Sequence, residues 1–364
     1  MDLGIIGFRQ SGKTTVFNAV TKGRAETGSF GAGVQPNIGV VKVPDRRLDE
    51  LAKLFNPKKF TLADIRYIDF PGEAFGGGGT GPSQQFLAQL ARCDALVHVA
   101  RAFHDESVPH PEGSVDPARD IAAMELELAF ADAAFIERRL ERIEAQMRSV
   151  KAGERDAAEC ETALLQRLKA GLEAETPLRA QEISAEEQKL LVNYQFLTDK
   201  PLLIVLNVDD DAAAKTGAIE AEYAAYAVKP RTAVAAIAGK IEQELAQMPD
   251  DDAAEFRAEL GITEPGLDRM IRMSYELTGL ISFFTVGPDE CRAWNVRRGA
   301  TAPEAAGKIH TDLERGFIRA EVVRWDELLD AKTMAEAKKR GQVRQEGKTY
   351  VVQDGDVMNI LFNV

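Results

Sequence analysis

The hydrophobic pattern of the first two thirds of the chain alternates between strand and helix spacing. Leu3–Ile6 is a short apolar run of the buried-strand type, whereas Val16 and Val20 lie on one face of a helix that follows it. Helical spacing returns over Arg46–Phe55 and Gln84–Arg92. Further apolar runs of strand length lie at 39–44, 65–70, 95–100, 201–207 and 234–238. Alternating strands and helices predict an α/β domain with a mostly parallel sheet.

Two segments interrupt or end this alternation. From 121 to about 200 the pattern is helical and highly charged, and it predicts two long helices that fold back as a hairpin, with the turn in Lys151–Asp156. Beyond Gly279 the pattern changes to short strands around one helix at Ala302–Arg315. These strands are predicted at 281–286, 291–296, 317–323, 350–352 and 357–362.

The predicted organisation therefore has an α/β domain in two parts, a helical insertion and a small mixed-sheet domain. The first part of the α/β domain covers 1–120 and the second covers 201–279, with the helical insertion at 121–200 between them. The mixed-sheet domain covers 280–364. A chain of 364 residues is long enough for two or three domains with complete cores.

Composition limits the classes of partner. A formal net charge of −13 argues against broad nonspecific binding to nucleic acid, although a local basic face could still contact RNA. From Ile281 onward the chain has equal numbers of basic and acidic residues, so the C-terminal domain is neutral within an acidic chain. That domain is the best candidate for a module that faces RNA. The oligomeric state stays unknown.

Membrane and metal-cluster functions find no support in the sequence. No run approaches the roughly eighteen apolar residues of a membrane helix, and no basic-then-apolar leader precedes the first strand. We therefore expect a cytoplasmic protein without membrane association. Cys93, Cys160 and Cys291 lie far apart and form no C-x-x-C pair, which indicates neither a zinc site nor a disulfide framework.

The segment between the first strand and the first helix has the spacing of a phosphate-binding loop. Gly7, Gly12, Lys13 and Thr14 fit G-x-x-x-x-G-K-S/T, in which backbone N–H groups surround phosphate oxygens, the lysine reaches the β- and γ-phosphates and the threonine binds Mg²⁺. A chance glycine-rich turn is the alternative, but the apolar strand before it and the helix after it favour phosphate binding. The predicted nucleotide-binding residues of this loop are Phe8, Arg9, Gln10, Ser11, Gly12, Lys13, Thr14 and Thr15.

A second signature follows at the end of the strand near 65–70. Asp69 and Gly72 form D-x-x-G, and an aspartate at the carboxyl end of a strand beside a phosphate loop is where the Mg²⁺ of a nucleotide is usually held through water. Alone, Asp69 would more simply be a helix cap. Paired with the phosphate loop, it predicts a second Mg²⁺ contact beside Thr14, and Gly72 is added to the nucleotide-binding residues.

Two further candidates lie in loops. Asn207-Val208-Asp209-Asp210 ends an apolar strand, where a nucleotide-binding sheet supplies its base-reading loop, so Asn207, Val208 and Asp210 are predicted to bind nucleotide. His110 lies in the proline-rich segment 103–117, which predicts a loop. Taken by itself, a lone histidine in such a loop is expected to be exposed and inert.

Together these residues resemble one family, the Obg-like ATPases of the YchF type, within the translation-factor-related P-loop NTPases. The resemblance covers nearly the whole chain, and its C-terminal part is similar to a TGS domain, a small β-grasp module. The matching segments are 7–14, 36–41, 69–72, 207–210, 292–294, 297–303, 309–312, 315–321 and 352–356.

The resemblance implies a P-loop nucleotide-binding domain interrupted by a helical coiled-coil hairpin and followed by the TGS domain. It also implies association with the ribosome or RNA and slow Mg²⁺-dependent hydrolysis of ATP rather than GTP. In the family a histidine on a mobile loop is thought to position the attacking water, and it matches His110. Together with Lys13, His110 is therefore the predicted catalytic residue.

The choice of base stays open at the level of sequence. The family reads its base with Asn-x-x-Glu in place of the Asn-Lys-x-Asp of GTPases, and Val208 follows the family by lacking the lysine. Asp210, however, restores a carboxylate at the fourth position, where it could accept hydrogen bonds from guanine. We favour ATP because the rest of the loop follows the family; Asp210 would then cap a helix.

Two departures from the family pattern leave two functional classes open. Gly33 stands where the family has a threonine that reaches Mg²⁺, and the nearby hydroxyl residues Thr27 and Ser29 are out of register. Glu73 stands where the family has an apolar residue. The first class is an enzyme that cleaves the β–γ phosphoanhydride bond. The second is a nucleotide-gated ribosome- or RNA-binding module, with GTP preference or with largely lost hydrolysis.

Overall fold

The computed structural model of the chain describes residues 1–23, 36–70, 75, 82–147, 152–191, 193–262 and 264–363, apart from the side chains of 152–154. These residues group into two compact units. The first comprises Met1–Gly39 and Arg66–Met273, and the second comprises Val40–Ile65 and Ser274–Val364. The division into four segments made from the sequence remains a prediction. Within the described residues, no helix is both long and apolar enough to cross a membrane.

The described residues contain twelve strands and fifteen α-helices. The strands are β1 (Asp2–Ile6), β2 (Asn37–Lys42), β3 (Lys59–Thr61), β4 (Asp64–Asp69), β5 (Ala95–Ala102), β6 (Leu202–Val208), β7 (Thr232–Ile237), β8 (Leu280–Thr285), β9 (Glu290–Arg297), β10 (Phe317–Arg324), β11 (Arg344–Glu346) and β12 (Asp356–Phe362). The helices are α1 (Lys13–Thr21), α2 (Arg46–Phe55), α3 (Gln84–Ala91), α4 (Pro117–Met147), α5 (Ala152–Glu173), α6 (Ala185–Leu191), α7 (Thr216–Glu222), α8 (Ala224–Ala227), α9 (Gly239–Leu245), α10 (Asp250–Glu259), α11 (Gly266–Leu277), α12 (Ala302–Ile309), α13 (Thr311–Arg315), α14 (Trp325–Ala331) and α15 (Met334–Lys339).

The first sheet confirms the predicted α/β fold class. Its strand order is β2-β4-β1-β5-β6-β7, and β1 pairs in parallel with both β4 and β5. The chain first runs from β1 to β2 and β4 on one side and then crosses to β5, β6 and β7 on the other side. The carboxyl end of β1 is therefore at the switch point of the sheet, where open α/β sheets bind their ligands. The phosphate loop lies directly after that end.

The helical hairpin is formed by α4 and α5. Its shared apolar cluster includes Ile136, Ile143, Leu165 and Leu168, which is the amphipathic pattern that the sequence predicted. The prediction that the turn lies in Lys151–Asp156 is wrong, because α5 already begins at Ala152. Glycine is tolerated within a first helical turn, so it did not mark the end of the element.

The second sheet has the order β11-β10-β12-β8-β9-β3, with mixed parallel and antiparallel pairs. Several details differ from the prediction. Residues 350–352 contribute only an isolated bridge, Thr301 to Val351, instead of a strand. The predicted single helix breaks at His310, whose Nδ1 accepts a hydrogen bond from the backbone N–H of Asp312 and so caps α13. Helices α14 and α15 were not predicted.

Candidate functional site

The phosphate loop makes a tight turn between β1 and α1. Gly12 has φ 89°, and a Cβ added there would lie 2.2 Å from Nδ2 of Asn207, so a side chain fits neither the backbone conformation nor the space. Gln10 also has a positive φ, 61°. Among the other predicted loop residues, Arg9 is exposed, Phe8 packs at the edge of the sheet core and Thr15 is half-buried in α1.

Lys13 points back into the loop that precedes it. Its Nζ donates hydrogen bonds to the carbonyl oxygens of Gly7 and Phe8, at 3.0 Å each. Burial lowers the pKa of Lys13 to about 8, against the attraction of Asp69 and with a smaller contribution from Arg9 in the same direction as burial. The ammonium is therefore held at the inner rim of the loop, where the motif requires a partner for phosphate.

Asp69 joins the phosphate loop to the end of β4. Its Oδ2 accepts hydrogen bonds from Oγ1 of Thr14 at 3.0 Å and from Nδ2 of Asn37 at 3.3 Å. The side chain is fully buried, and burial raises the pKa of its carboxyl above the usual range although both hydrogen bonds oppose that shift. Oδ1 of Asp69 and Oγ of Ser11 are buried with no hydrogen-bond partner among the described residues.

This donor set fits Mg²⁺. Mg²⁺ prefers hard oxygen ligands, and an unpartnered carboxylate oxygen beside a threonine hydroxyl supplies them, directly or through water. No three His, Cys, Asp or Glu side chains within the described segments converge on a common metal position. A divalent ion at Thr14 and Asp69 would therefore depend on oxygens of the ligand, as is usual for Mg²⁺ bound with phosphates.

Asn207 ties the base loop to the phosphate loop. Its Nδ2 donates to the carbonyl oxygen of Ser11 at 3.1 Å, and its Oδ1 accepts from the backbone N–H of Gly239 at 3.0 Å. The side chain is buried, as is its neighbour Val208 at the end of β6. The arrangement fixes three connections, after β1, β6 and β7, at one edge of the sheet.

The two aspartates that follow behave differently. Asp209 accepts hydrogen bonds from the backbone N–H of His104 at 2.8 Å and lies 3.2 Å from its Nδ1. Asp210 is exposed, with Oδ2 at 3.5 Å from Nζ of Lys240. The alternative that Asp210 caps a helix is wrong: it is the first residue of a 3-10 helix whose cap position is Asp209, without a side-chain cap bond.

His110 is buried rather than exposed. Its side chain is 5% accessible, and its Nε2 lies 3.0 Å from Oδ2 of Asp120 on α4. The expectation of a solvent-exposed loop histidine is therefore wrong, because a carboxylate ten residues later in the chain covers the ring. Its contacts lie within its own loop and on α4. Whether His110 acts in catalysis stays a prediction.

Sequence reasoning missed the residues that organise the loop before His110. Arg101, buried at the end of β5, donates to the carbonyl oxygens of Phe103 at 3.2 Å and Val108 at 2.7 Å, and its guanidinium stacks over the ring of Phe103. An arginine within a buried strand was the available signal, because such a charge requires partners. Asn37, Arg119 and Asp120 carried no comparable signal.

Several predicted residues lie outside the described part of the chain. They are Gly72 of the D-x-x-G signature and the positions at which the sequence departs from the family pattern, Thr27, Ser29, Gly33 and Glu73. Their roles remain predictions.

Family models match both ends of the chain. The model described as "50S ribosome-binding GTPase" matches residues 2–136. The YchF-GTPase_C model, described as "Protein of unknown function (DUF933)", matches residues 280–363.

Similar proteins match over their full length. The ribosome-binding ATPase YchF of Bacillus subtilis is 43% identical, over 99% of this chain and 99% of its own. The protein of the same name from Escherichia coli O157:H7 is 40% identical, again over 99% of both chains. A solved structure, the YchF GTPase of Schizosaccharomyces pombe, superposes with a TM-score of 0.86 at 30% identity and covers 99% of this chain and 97% of that one. The chain therefore belongs to the YchF family of P-loop NTPases.

Proposed function

We propose that this protein binds ATP with Mg²⁺, cleaves its β–γ phosphoanhydride bond slowly and works in association with the ribosome in the cytoplasm. The observation that carries the proposal is the convergence of Lys13, Thr14 and Asp69 at the carboxyl ends of β1 and β4. Ribosome association rests on the relatives, which are named ribosome-binding ATPases at about 40% identity over the whole chain.

In the proposed mechanism the protein stabilises charge and positions water. Lys13 and the backbone N–H groups of the loop offset negative charge on the phosphates, where it builds up during cleavage. Thr14 and Asp69 would hold Mg²⁺, which when bound would offset negative charge on the phosphates. His110 orients the water that attacks the γ-phosphorus, so that the bond to the β-phosphate bridging oxygen breaks in line with the new bond.

The preference for ATP rests on the relatives, which are named ATPases. Asp209 accepts a hydrogen bond from the backbone N–H of His104, and the exposed Oδ2 of Asp210 lies 3.5 Å from Nζ of Lys240. Asn207 is fixed by Ser11 and Gly239, so it presents a rigid edge beside the base position whichever base is bound. GTP preference is the second candidate, supported by the exposed carboxylate of Asp210 and by the GTPase description of the N-terminal family model.

We expect Asp210→Ala to weaken both ATP and GTP binding by less than about 1 kcal/mol, because an exposed carboxylate that no base uses contributes little. Calorimetric titration of both nucleotides with Mg²⁺ into parent and variant measures this. Asp211→Ala removes the neighbouring exposed carboxylate of the same turn and serves as the matched control. A parent preference for GTP that disappears only in Asp210→Ala would establish guanine recognition by Asp210.

We also expect ATP affinity to fall as pH rises above about 8. Burial leaves the free protein with a Lys13 pKa of about 8, whereas adjacent phosphate charge favours the ammonium and raises that pKa in the complex. Below about pH 8 Lys13 is protonated in both the free protein and the complex, so it adds no pH dependence to binding. Above about pH 8, ATP binding requires Lys13 to take up a proton, and ATP affinity drops by up to about tenfold per pH unit. Calorimetry in two buffers of different ionisation enthalpy measures the uptake, and no uptake near pH 9 would contradict the assignment.

The proposal as a whole is tested by titrating ATP and GTP into the parent protein with Mg²⁺ and then following γ-phosphate release from each bound nucleotide. We expect tighter binding of ATP and slow release of phosphate. Binding without release would favour the second functional class, a nucleotide-gated ribosome-binding module. Failure to bind either nucleotide would overturn both.

A further inference from the structure

The ring of His110 is hydrogen-bonded at both nitrogens. The backbone N–H of Glu112 donates to Nδ1 at 3.1 Å, and Nε2 lies 3.0 Å from Oδ2 of Asp120. Because Nδ1 accepts a hydrogen bond, the network assigns the proton to Nε2, which donates it to the carboxylate. A ring in this state has no nitrogen left to bind water.

Asp120 is itself fixed by its neighbour. Its Oδ1 accepts from Nε of Arg119 at 3.0 Å and from Nη2 at 2.8 Å, while the same guanidinium donates to the carbonyl oxygen of Ser114 at 2.9 Å. The side chain of Asp120 is 4% accessible. Charge-assisted hydrogen bonds are stronger than neutral ones, and more so where water is excluded, so the carboxylate of Asp120 holds the ring of His110 in one position.

These contacts define a resting arrangement. A histidine that orients water at the γ-phosphate needs a free ring nitrogen and access to that water. Here the ring is 5% accessible, both nitrogens are occupied, and every partner lies between 110 and 120, outside the phosphate loop. In this conformation the ring of His110 therefore cannot orient the attacking water.

We propose that Asp120, fixed by Arg119, is a positioning residue that holds His110 in a resting conformation, and that release of the ring from Asp120 limits hydrolysis. This inference rests on the proposed role of His110. The opposite role is an Asp120 that stays bound and orients the ring during catalysis. The two roles predict opposite effects of removing the carboxylate's charge, because a restraint slows the reaction and an orienting group speeds it.

The position of Asp120 on α4 connects this restraint to the helical hairpin. Asp120 lies in the first turn of α4, a continuous helix of 31 residues that would span about 46 Å. Ile121 and Met124 pack in the core of the α/β unit, whereas Ile136 and Ile143 pack against α5. A ribosome that contacted the hairpin would act on the same helix that carries Asp120, and a shift of this helix would favour release of His110.

Asp120→Asn tests the proposal, because it keeps the shape of the side chain and removes its charge. Without ribosomes, we expect roughly a tenfold faster single-turnover release of γ-phosphate from ATP, as for a restraint that leaves about one molecule in ten released. ATP affinity should be unchanged and stimulation by ribosomes correspondingly smaller. Asp116→Asn is the matched control: Asp116 accepts from the backbone N–H of Arg119 at the start of α4, and the hydrogen bonds of His110 do not involve it.

Two further variants separate failure of this inference from failure of the proposed function. His110→Ala should slow cleavage, and the double variant with Asp120→Asn should be as slow as His110→Ala alone. If His110→Ala leaves the rate unchanged, the role of His110 is wrong and the inference falls with it. If His110→Ala slows cleavage while Asp120→Asn leaves the rate unchanged or lowers it, the restraint alone is wrong.

A spectroscopic measurement covers the case in which Asp120→Asn does not fold. Long-range ¹H–¹⁵N spectra of the four histidines, with His110 identified from the His110→Ala variant, report which ring nitrogen is protonated. In the parent protein we expect His110 to show a single fixed state with the proton on Nε2. A rapidly averaging pattern of an unrestrained imidazole would overturn the proposal without any variant of Asp120.

Discussion

Lys13→Ala is expected to abolish tight binding of the nucleoside triphosphate. Nζ of Lys13 lies at the inner rim of the phosphate loop, held there by the carbonyl oxygens of Gly7 and Phe8. Truncation removes the main side-chain charge that faces the phosphates, and charge-assisted contacts to phosphate are among the strongest in proteins. We expect a loss of affinity on the order of a hundredfold or more, measured by calorimetry with Mg²⁺ present.

Lys22→Ala is the matched control for this variant. Lys22 follows the other end of α1, where its exposed ammonium lies 3.5 Å from Oδ1 of Asp250. Both variants remove one positive charge from the same part of the chain, but only Lys13 faces the loop. Equal affinity in Lys13→Ala and parent would show that the loop does not bind phosphate.

His110→Ala is expected to leave ATP affinity nearly unchanged and to slow cleavage roughly a hundredfold, the range found when a group that acts on the attacking nucleophile is lost. The ring makes its contacts with the loop before α4 and with the first turn of α4 rather than with the phosphate loop, so truncation should not disturb ground-state binding. Single-turnover release of γ-phosphate, with and without ribosomes, measures the effect.

His310→Ala controls for loss of a histidine as such. His310 is exposed and caps α13 in the second compact unit. We expect its basal cleavage rate to match the parent. A His110→Ala rate equal to that of His310→Ala would assign His110 a purely structural function in its loop.

The sequence predicted the local elements of the fold well, for identifiable reasons. Short-range hydrophobic spacing predicts the strand before the phosphate loop and the amphipathic faces of α2, α4 and α5. The phosphate loop likewise depends on adjacent residues, with Gly12 needed for its φ of 89°. These features do not require knowledge of distant partners.

The features that the sequence missed depend on distant or irregular partners. Strand β3 is three residues long and pairs with β9, more than 200 residues later, so nothing in its own sequence identifies it. The break between α12 and α13 arises from a cap by His310, a residue type seldom used there.

The surroundings of His110 were equally hidden, because burial of its ring depends on Asp120 and Arg119 folding back over the loop. The identity of a site residue could thus be predicted from its motif. Its conformation could not.

The most direct test of the whole account is single-turnover hydrolysis of ATP by the parent protein with Mg²⁺, in the absence and presence of purified ribosomes, with Lys13→Ala as the blank. We expect slow release of γ-phosphate that ribosomes accelerate and that is absent in Lys13→Ala. A γ-phosphate that stays uncleaved for hours under both conditions, while ATP remains tightly bound, would contradict the proposed ATPase function.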